Sequence, residues 1–137
     1  MQHKNFRPMR PSLLFTICFC FSVGMIFILS LISAMIVISL DDPTAKLGIF
    51  SLVTMLLSAA VGGFFSSKIR GGMSLGYSAL VSLSVVLVML LMNVIMSGGK
   101  VSLGAFMNYG CYMGTYMLCA LIIKNTANGR RRRRSSA

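Results

Sequence analysis

The residues able to carry acid, base or metal chemistry are few and far apart in this sequence. His3 is the only histidine, and Asp41 and Asp42 are the only acidic residues. A catalytic or metal site needs three or more such groups that converge on one point. The sequence therefore predicts no catalytic residue, no metal site and no bound cofactor, and it favours a protein that is not an enzyme.

The cysteines and methionines do not form a redox or metal motif. Cys18 and Cys20 are two residues apart, so on a helix they point about 200° away from each other. The 12 methionines are scattered and not clustered with cysteine or histidine, as a copper site would require. We interpret both residue types as packing side chains.

The most polar stripe inside an apolar run is a row of tyrosines at positions i, i+3 and i+7, which share one face of a helix. A hydroxyl group in hydrocarbon needs a hydrogen-bond partner, so this face should point into the bundle, a wet cavity or another subunit. Structural hydrogen bonds, including one between the two asparagines at similar depth, are the favoured interpretation, and a small polar pocket is the alternative. The predicted intramembrane polar face comprises Asn93, Asn108, Tyr109, Tyr112, Thr115 and Tyr116.

Small residues recur at four-residue spacing, which lets helix backbones approach closely in a membrane. The pattern comprises Ser58, Gly62 and Ser66 in one apolar run, and Gly110 with Gly114 in another. Packing within one four-helix bundle is the favoured interpretation, and a dimer face is the alternative.

These residues lie in a chain whose composition is typical of a membrane protein. Of its 137 residues, 56% are hydrophobic and only 11% are charged, against about a quarter in soluble domains. Four uncharged or nearly uncharged runs reach the length of about 20 residues that a membrane helix needs. The spans are predicted at residues 13–40, 47–67, 73–96 and 103–123. Short polar turns join the last three, so spans two and three should form a tight antiparallel hairpin, and spans three and four a second one.

The predicted fold is an all-α integral membrane four-helix bundle with up-down-up-down topology. Residues 1–12 form a basic leader, 13–123 the four-span membrane domain and 124–137 a basic, disordered tail. The first run is too long for the apolar region of a cleaved signal peptide, so we expect it to remain as an anchor.

The distribution of basic residues predicts the orientation. With four spans, eleven of the 13 lysines and arginines fall on the side of the two termini, and only Lys46 and Lys100 fall on the other. Because cytoplasmic loops carry the excess of positive charge, both termini should be cytoplasmic in a plasma membrane.

The tail carries a run of five arginines. We interpret the run first as a topology signal, and then as a contact with anionic lipid headgroups. RNA or an acidic partner remains an alternative, but no specific nucleic acid is expected. The run comprises Arg130, Arg131, Arg132, Arg133 and Arg134.

The segment from Ala59 to Lys68, the short basic glycine turn after it and Gly72 to Tyr77 carry a family resemblance. The Gly-Gly pair, the basic turn and the Gly-xxx-Gly spacing are similar to the small four-span membrane proteins of Gram-positive bacteria typified by YrzE. The resemblance covers about half of the chain. It implies a bacterial plasma membrane and brings no catalytic residues.

The leading hypothesis is a small scaffold or accessory subunit of a membrane assembly, with the lipid bilayer and a homo-oligomer or larger complex as partners. A pore or transport element, including a holin-like one, is the alternative from a different class. Size and span count also suggest a likeness to the small accessory subunit of bacterial ATP synthases.

Overall fold

The computed structural model describes residues 10–69 and 74–135, except for the side chains of Ala127 and of residues 130–135. These ranges hold four α-helices and no strand: α1 (Pro11–Ile38), α2 (Pro43–Lys68), α3 (Leu75–Met96) and α4 (Leu103–Ser135). Each helix is long and apolar enough to cross a membrane, and the spanning part of α4 is Leu103–Thr126. The predicted all-α class with four spans is therefore confirmed.

The link between α1 and α2 is shorter than predicted. We expected the second span to begin at residue 47, but α2 begins at Pro43. Proline suits the first position of a helix because its fixed φ angle is already helical and no intrahelical hydrogen bond needs its missing N–H. The acidic pair at Asp41 and Asp42 therefore lies in a tight connection, and Asp42 occupies the N-cap position.

The second pair of helices has defined ends. Ser74 Oγ accepts a hydrogen bond from the Tyr77 N–H at 3.4 Å, and Ser102 Oγ accepts one from the Ala105 N–H at 3.3 Å. At the end of α3, Gly98 has a φ of 62°, and the Gly99 N–H donates to the Val94 carbonyl at 3.0 Å. This 6→1 bond is the mark of a Schellman motif, which favours glycine in the left-handed position.

Around the bundle the helices follow the order α1, α2, α4, α3. The sequence predicted a tight hairpin of spans two and three, but α2 and α3 lie diagonally across the bundle, and residues 70–73 of the predicted turn are outside the described ranges. The hairpins are α1 with α2 and α3 with α4. The reason is that the small-residue face of α2 packs against α4, which runs parallel to it.

The predicted disordered tail is wrong for residues 124–135, because α4 continues to Ser135. Extending an existing helix needs no new nucleation, and arginine and alanine are good helix formers. The nine residues after Thr126 extend α4 by about 13 Å at 1.5 Å per residue.

The outer surface is apolar at every depth, and the buried core is narrow. Side chains more than half exposed occur on all four helices, for example Leu31, Leu57, Leu87 and Leu118. Such a surface is stable in lipid, not in water. The chain is a polytopic membrane protein. We call the end that carries Arg10, Lys68 and Lys124 the basic end, and the end with the α1–α2 and α3–α4 links the opposite end.

Candidate functional site

The small residues of α2 lie in a close contact with α4. Ser58, Gly62 and Ser66 are buried, and so is Gly63 beside them. A Cβ atom on Gly63 would lie 2.6 Å from the carbonyl oxygen of Tyr116. The predicted stripe on α2 therefore packs within the bundle and brings the backbones of α2 and α4 together.

The glycine pair of α4 has a different position. Gly110 and Gly114 are exposed, and no atom lies within 4 Å of the point where a Cβ would stand at either residue. Met107, Cys111 and Leu118 are exposed around them. Packing within the bundle, which was favoured for both sets of small residues, does not extend to this pair. We call this surface the open glycine face.

The three tyrosines predicted on one face of α4 all lie inside the bundle. Tyr109 is 5% exposed, and Tyr112 and Tyr116 are fully buried. The Tyr109 hydroxyl donates to the Met89 carbonyl of α3 at 3.4 Å, and the rings of Tyr112 and Tyr116 are 6.2 Å apart between centroids. Thr115 is half-buried. The row therefore runs along the centre of the bundle from the half near the opposite end toward the basic end.

The expected hydrogen bond between Asn93 and Asn108 does not form. The Asn93 side-chain oxygen accepts instead from the Ser97 hydroxyl one turn later, at 3.0 Å. Adjacent residues on a helix point about 100° apart, and it is Tyr109, not Asn108, that faces α3. The link between α3 and α4 at this depth is therefore the tyrosine hydroxyl.

Between the helices, the half of the bundle near the opposite end contains two adjacent crevices. One, of about 380 Å³, lies between α1 and α2, and the other, of about 430 Å³, lies between α1 and α3. They share Ile26, Ser30, Met55 and Met89. No charged side chain lines either crevice; hydroxyl groups and an amide provide the polarity.

Several hydroxyl residues of this interior were not identified from the sequence. Ser22 of α1 is buried, and Ser33 contacts Thr54 of α2 hydroxyl to hydroxyl. Thr54 lies four residues before Ser58 and so extends the same stripe, a signal that the spacing already contained. Ser22 has no comparable signal, because single serines are common in apolar runs.

The remaining candidate groups do not converge. Cys20 and Cys111 are exposed on different helices, and the described residues contain no group of three possible metal ligands. The side chains of Arg130 to Arg134 lie outside the described part of the chain. The contact predicted between these arginines and anionic headgroups therefore stays a prediction.

Comparison with protein-family models, with curated proteins and with solved structures finds no match to this chain.

Proposed function

We propose that this protein is a non-enzymatic scaffold or accessory subunit of a membrane assembly, and that it joins its partner through the open glycine face of α4. The observation that carries the proposal is the contrast between two sets of glycines. Gly62 and Gly63 pack against other helices of the chain, whereas among the described residues no other helix lies within 4 Å of the Cβ positions of Gly110 and Gly114. In lipid, a partner helix gains most where small residues allow the backbones to meet.

The surroundings of this face support a protein partner. Gly110 and Gly114 are one turn apart, and the exposed side chains around them form a shallow groove along the helix axis. Helix association in lipid depends on close packing because burial of apolar surface provides little drive there. A groove with glycine at its base meets that requirement.

A matched set of leucine substitutions tests the proposal. Gly110→Leu and Gly114→Leu fill the groove, and Gly48→Leu is the control, because Gly48 is also exposed on a helix with no atom within 4 Å. After extraction in mild detergent, the natural protein and Gly48→Leu should co-purify with the same partner subunits. Both α4 variants should lose those subunits while keeping the helical CD spectrum.

A pore or transport function is the second candidate, and the uncharged crevices favour it. Tyr112 and Tyr116 close the interior of a single chain, so a holin-like pore would have to form between copies. Purified chains that assemble alone and release ions from liposomes would support the pore and overturn the accessory role. Co-purification with ATP synthase subunits would identify the assembly as that enzyme.

We also propose a bacterial plasma membrane with both termini in the cytoplasm. Arg10, Lys68 and Lys124 lie at one end of the bundle, and Asp41 and Asp42 at the other, with Lys46 and Lys100. Arginines 130–134, in the last turns of α4, contribute about 1 kcal/mol each near anionic headgroups. Tags at the two termini should both be reached only after permeabilisation; labelling of either tag on intact cells would contradict this orientation.

A further inference from the structure

Within residues 10–69 and 74–135, three hydroxyl groups in the buried core make no hydrogen bond of normal geometry: Ser22 Oγ of α1, and the hydroxyls of Tyr112 and Tyr116 of α4. Ser22 is 1% exposed, and both tyrosines are fully buried. Other buried serines differ from this group. Ser58 and Ser66, for example, each donate at 2.9 Å to a carbonyl of their own helix. The three unpartnered hydroxyls therefore need a separate explanation.

Two of the three groups, those of Ser22 and Tyr116, meet at the surface of Gly62. A Cβ atom on Gly62 would lie 2.8 Å from Cε2 of Tyr116 and 3.0 Å from Ser22 Oγ, so both residues lie against the glycine. Tyr112 lies one turn away from Tyr116 on the same helix, and the two rings are tilted by 35° with centroids 6.2 Å apart. Ser22 and Ser66 both lie close to the Tyr116 hydroxyl. Helices α1, α2 and α4 thus enclose a single polar cluster.

The free-energy cost of an unpaired buried hydroxyl group favours a bound ligand that can form hydrogen bonds with the cluster. A buried hydroxyl group without a hydrogen-bond partner lowers the folding equilibrium constant about 5- to 150-fold relative to a hydrogen-bonded one. Buried polar groups in proteins are therefore paired, often by water that makes two to four hydrogen bonds. Three such groups at one place provide the partners that a water molecule requires.

The hydrogen-bonding groups of the cluster and the lack of nearby charge indicate which ligand would bind. Each hydroxyl donates one hydrogen bond and accepts up to two, so the ligand must itself both donate and accept. No charged side chain lies within the described parts of α1 and α3 or in the interior of α2 and α4. An ion would therefore remain uncompensated in a medium of low dielectric constant.

We propose that Ser22, Tyr112 and Tyr116 form a binding site for water within the membrane-spanning bundle. A crevice lies next to it. Ser58 lines the crevice between α1 and α2, and it lies one helical turn before Gly62, where the cluster begins. The site lies beside this crevice, on the side toward the basic end.

Nuclear magnetic resonance of the full chain in micelles tests the site directly. The hydroxyl protons of Tyr112 and Tyr116 should be protected from rapid exchange and should show cross-peaks to water. Tyr77 is 41% exposed, and its hydroxyl proton should exchange too fast to be seen. Protected hydroxyl protons without a water cross-peak would overturn the proposal, because the cluster would then be dry. This readout uses the natural protein and does not depend on any variant folding.

Tyrosine-to-phenylalanine variants give a second test, because the direction of the change in stability distinguishes hydrated hydroxyl groups from unsatisfied ones. If water joins the hydroxyls, Tyr112→Phe or Tyr116→Phe leaves the others short of a partner, and the unfolding equilibrium constant should rise about 5- to 30-fold. The double variant should lose less than the product of the two single effects. Tyr77→Phe is the matched control and should change the constant less than twofold. Phenylalanine variants as stable as the natural protein, or more stable, would show that the hydroxyls are simply unsatisfied.

Discussion

Substituting Gly63 by alanine should separate α2 from α4. The added Cβ would lie 2.6 Å from the Tyr116 carbonyl oxygen and 3.0 Å from Cys119 Cβ. Carbon and oxygen in a close backbone contact stay about 3.3 Å apart, so the helices must move by about 0.7 Å. A gap of that size forfeits a quarter to a half of each dispersion contact along the interface. Overpacking of this kind costs about 1–3 kcal/mol.

Gly110→Ala provides the matched comparison, because nothing lies within 4 Å of its Cβ position. Both substitutions gain the same helix propensity, about 1 kcal/mol, so the difference between them isolates the clash. The unfolding equilibrium constant of Gly63→Ala should exceed that of Gly110→Ala by about 5- to 150-fold. The measurement is equilibrium unfolding of the monomer in mixed micelles with increasing SDS, followed by CD. Equal stability of the two variants would refute the close approach of α2 and α4.

Two further predictions concern the helix ends. Ser74→Ala and Ser102→Ala each remove an N-cap acceptor, and each should lower the free energy of unfolding by about 1 kcal/mol in the same assay. If both variants change it by less than about 0.3 kcal/mol, the capping role is contradicted. Gly98→Ala places a side chain at a φ of 62°, and no atom lies within 4 Å of the new Cβ. Conformational strain alone should therefore destabilise the chain by about 1–2 kcal/mol. Gly48→Ala, at a helical φ, is the control and should be neutral or stabilising.

The number and type of the helices could be predicted from the sequence because run length and absence of charge are local properties. The inward position of Tyr109, Tyr112 and Tyr116 could be argued as well, since a hydroxyl in hydrocarbon needs a partner. In the structure all three tyrosines are buried.

The neighbour order of the helices could not be predicted in the same way. It depends on which faces fit, and in this chain the fit of Gly63 against the Tyr116 backbone places α4 beside α2. The helical tail after Lys124 also escaped prediction, because composition alone suggested disorder while the preceding helix supplies the nucleus. Ser22 was missed because its importance arises only from what α4 places next to it.

The diagonal position of α2 and α3 has a consequence for assembly of the chain. The halves on either side of residues 70–73 are each a helical hairpin, and their docking surface is α2 against α4 and α1 against α3. Recognition between the halves resides in those surfaces, not in the peptide that connects them. A gene divided at this point and expressed as two polypeptides should therefore rebuild the same four-helix unit in the membrane.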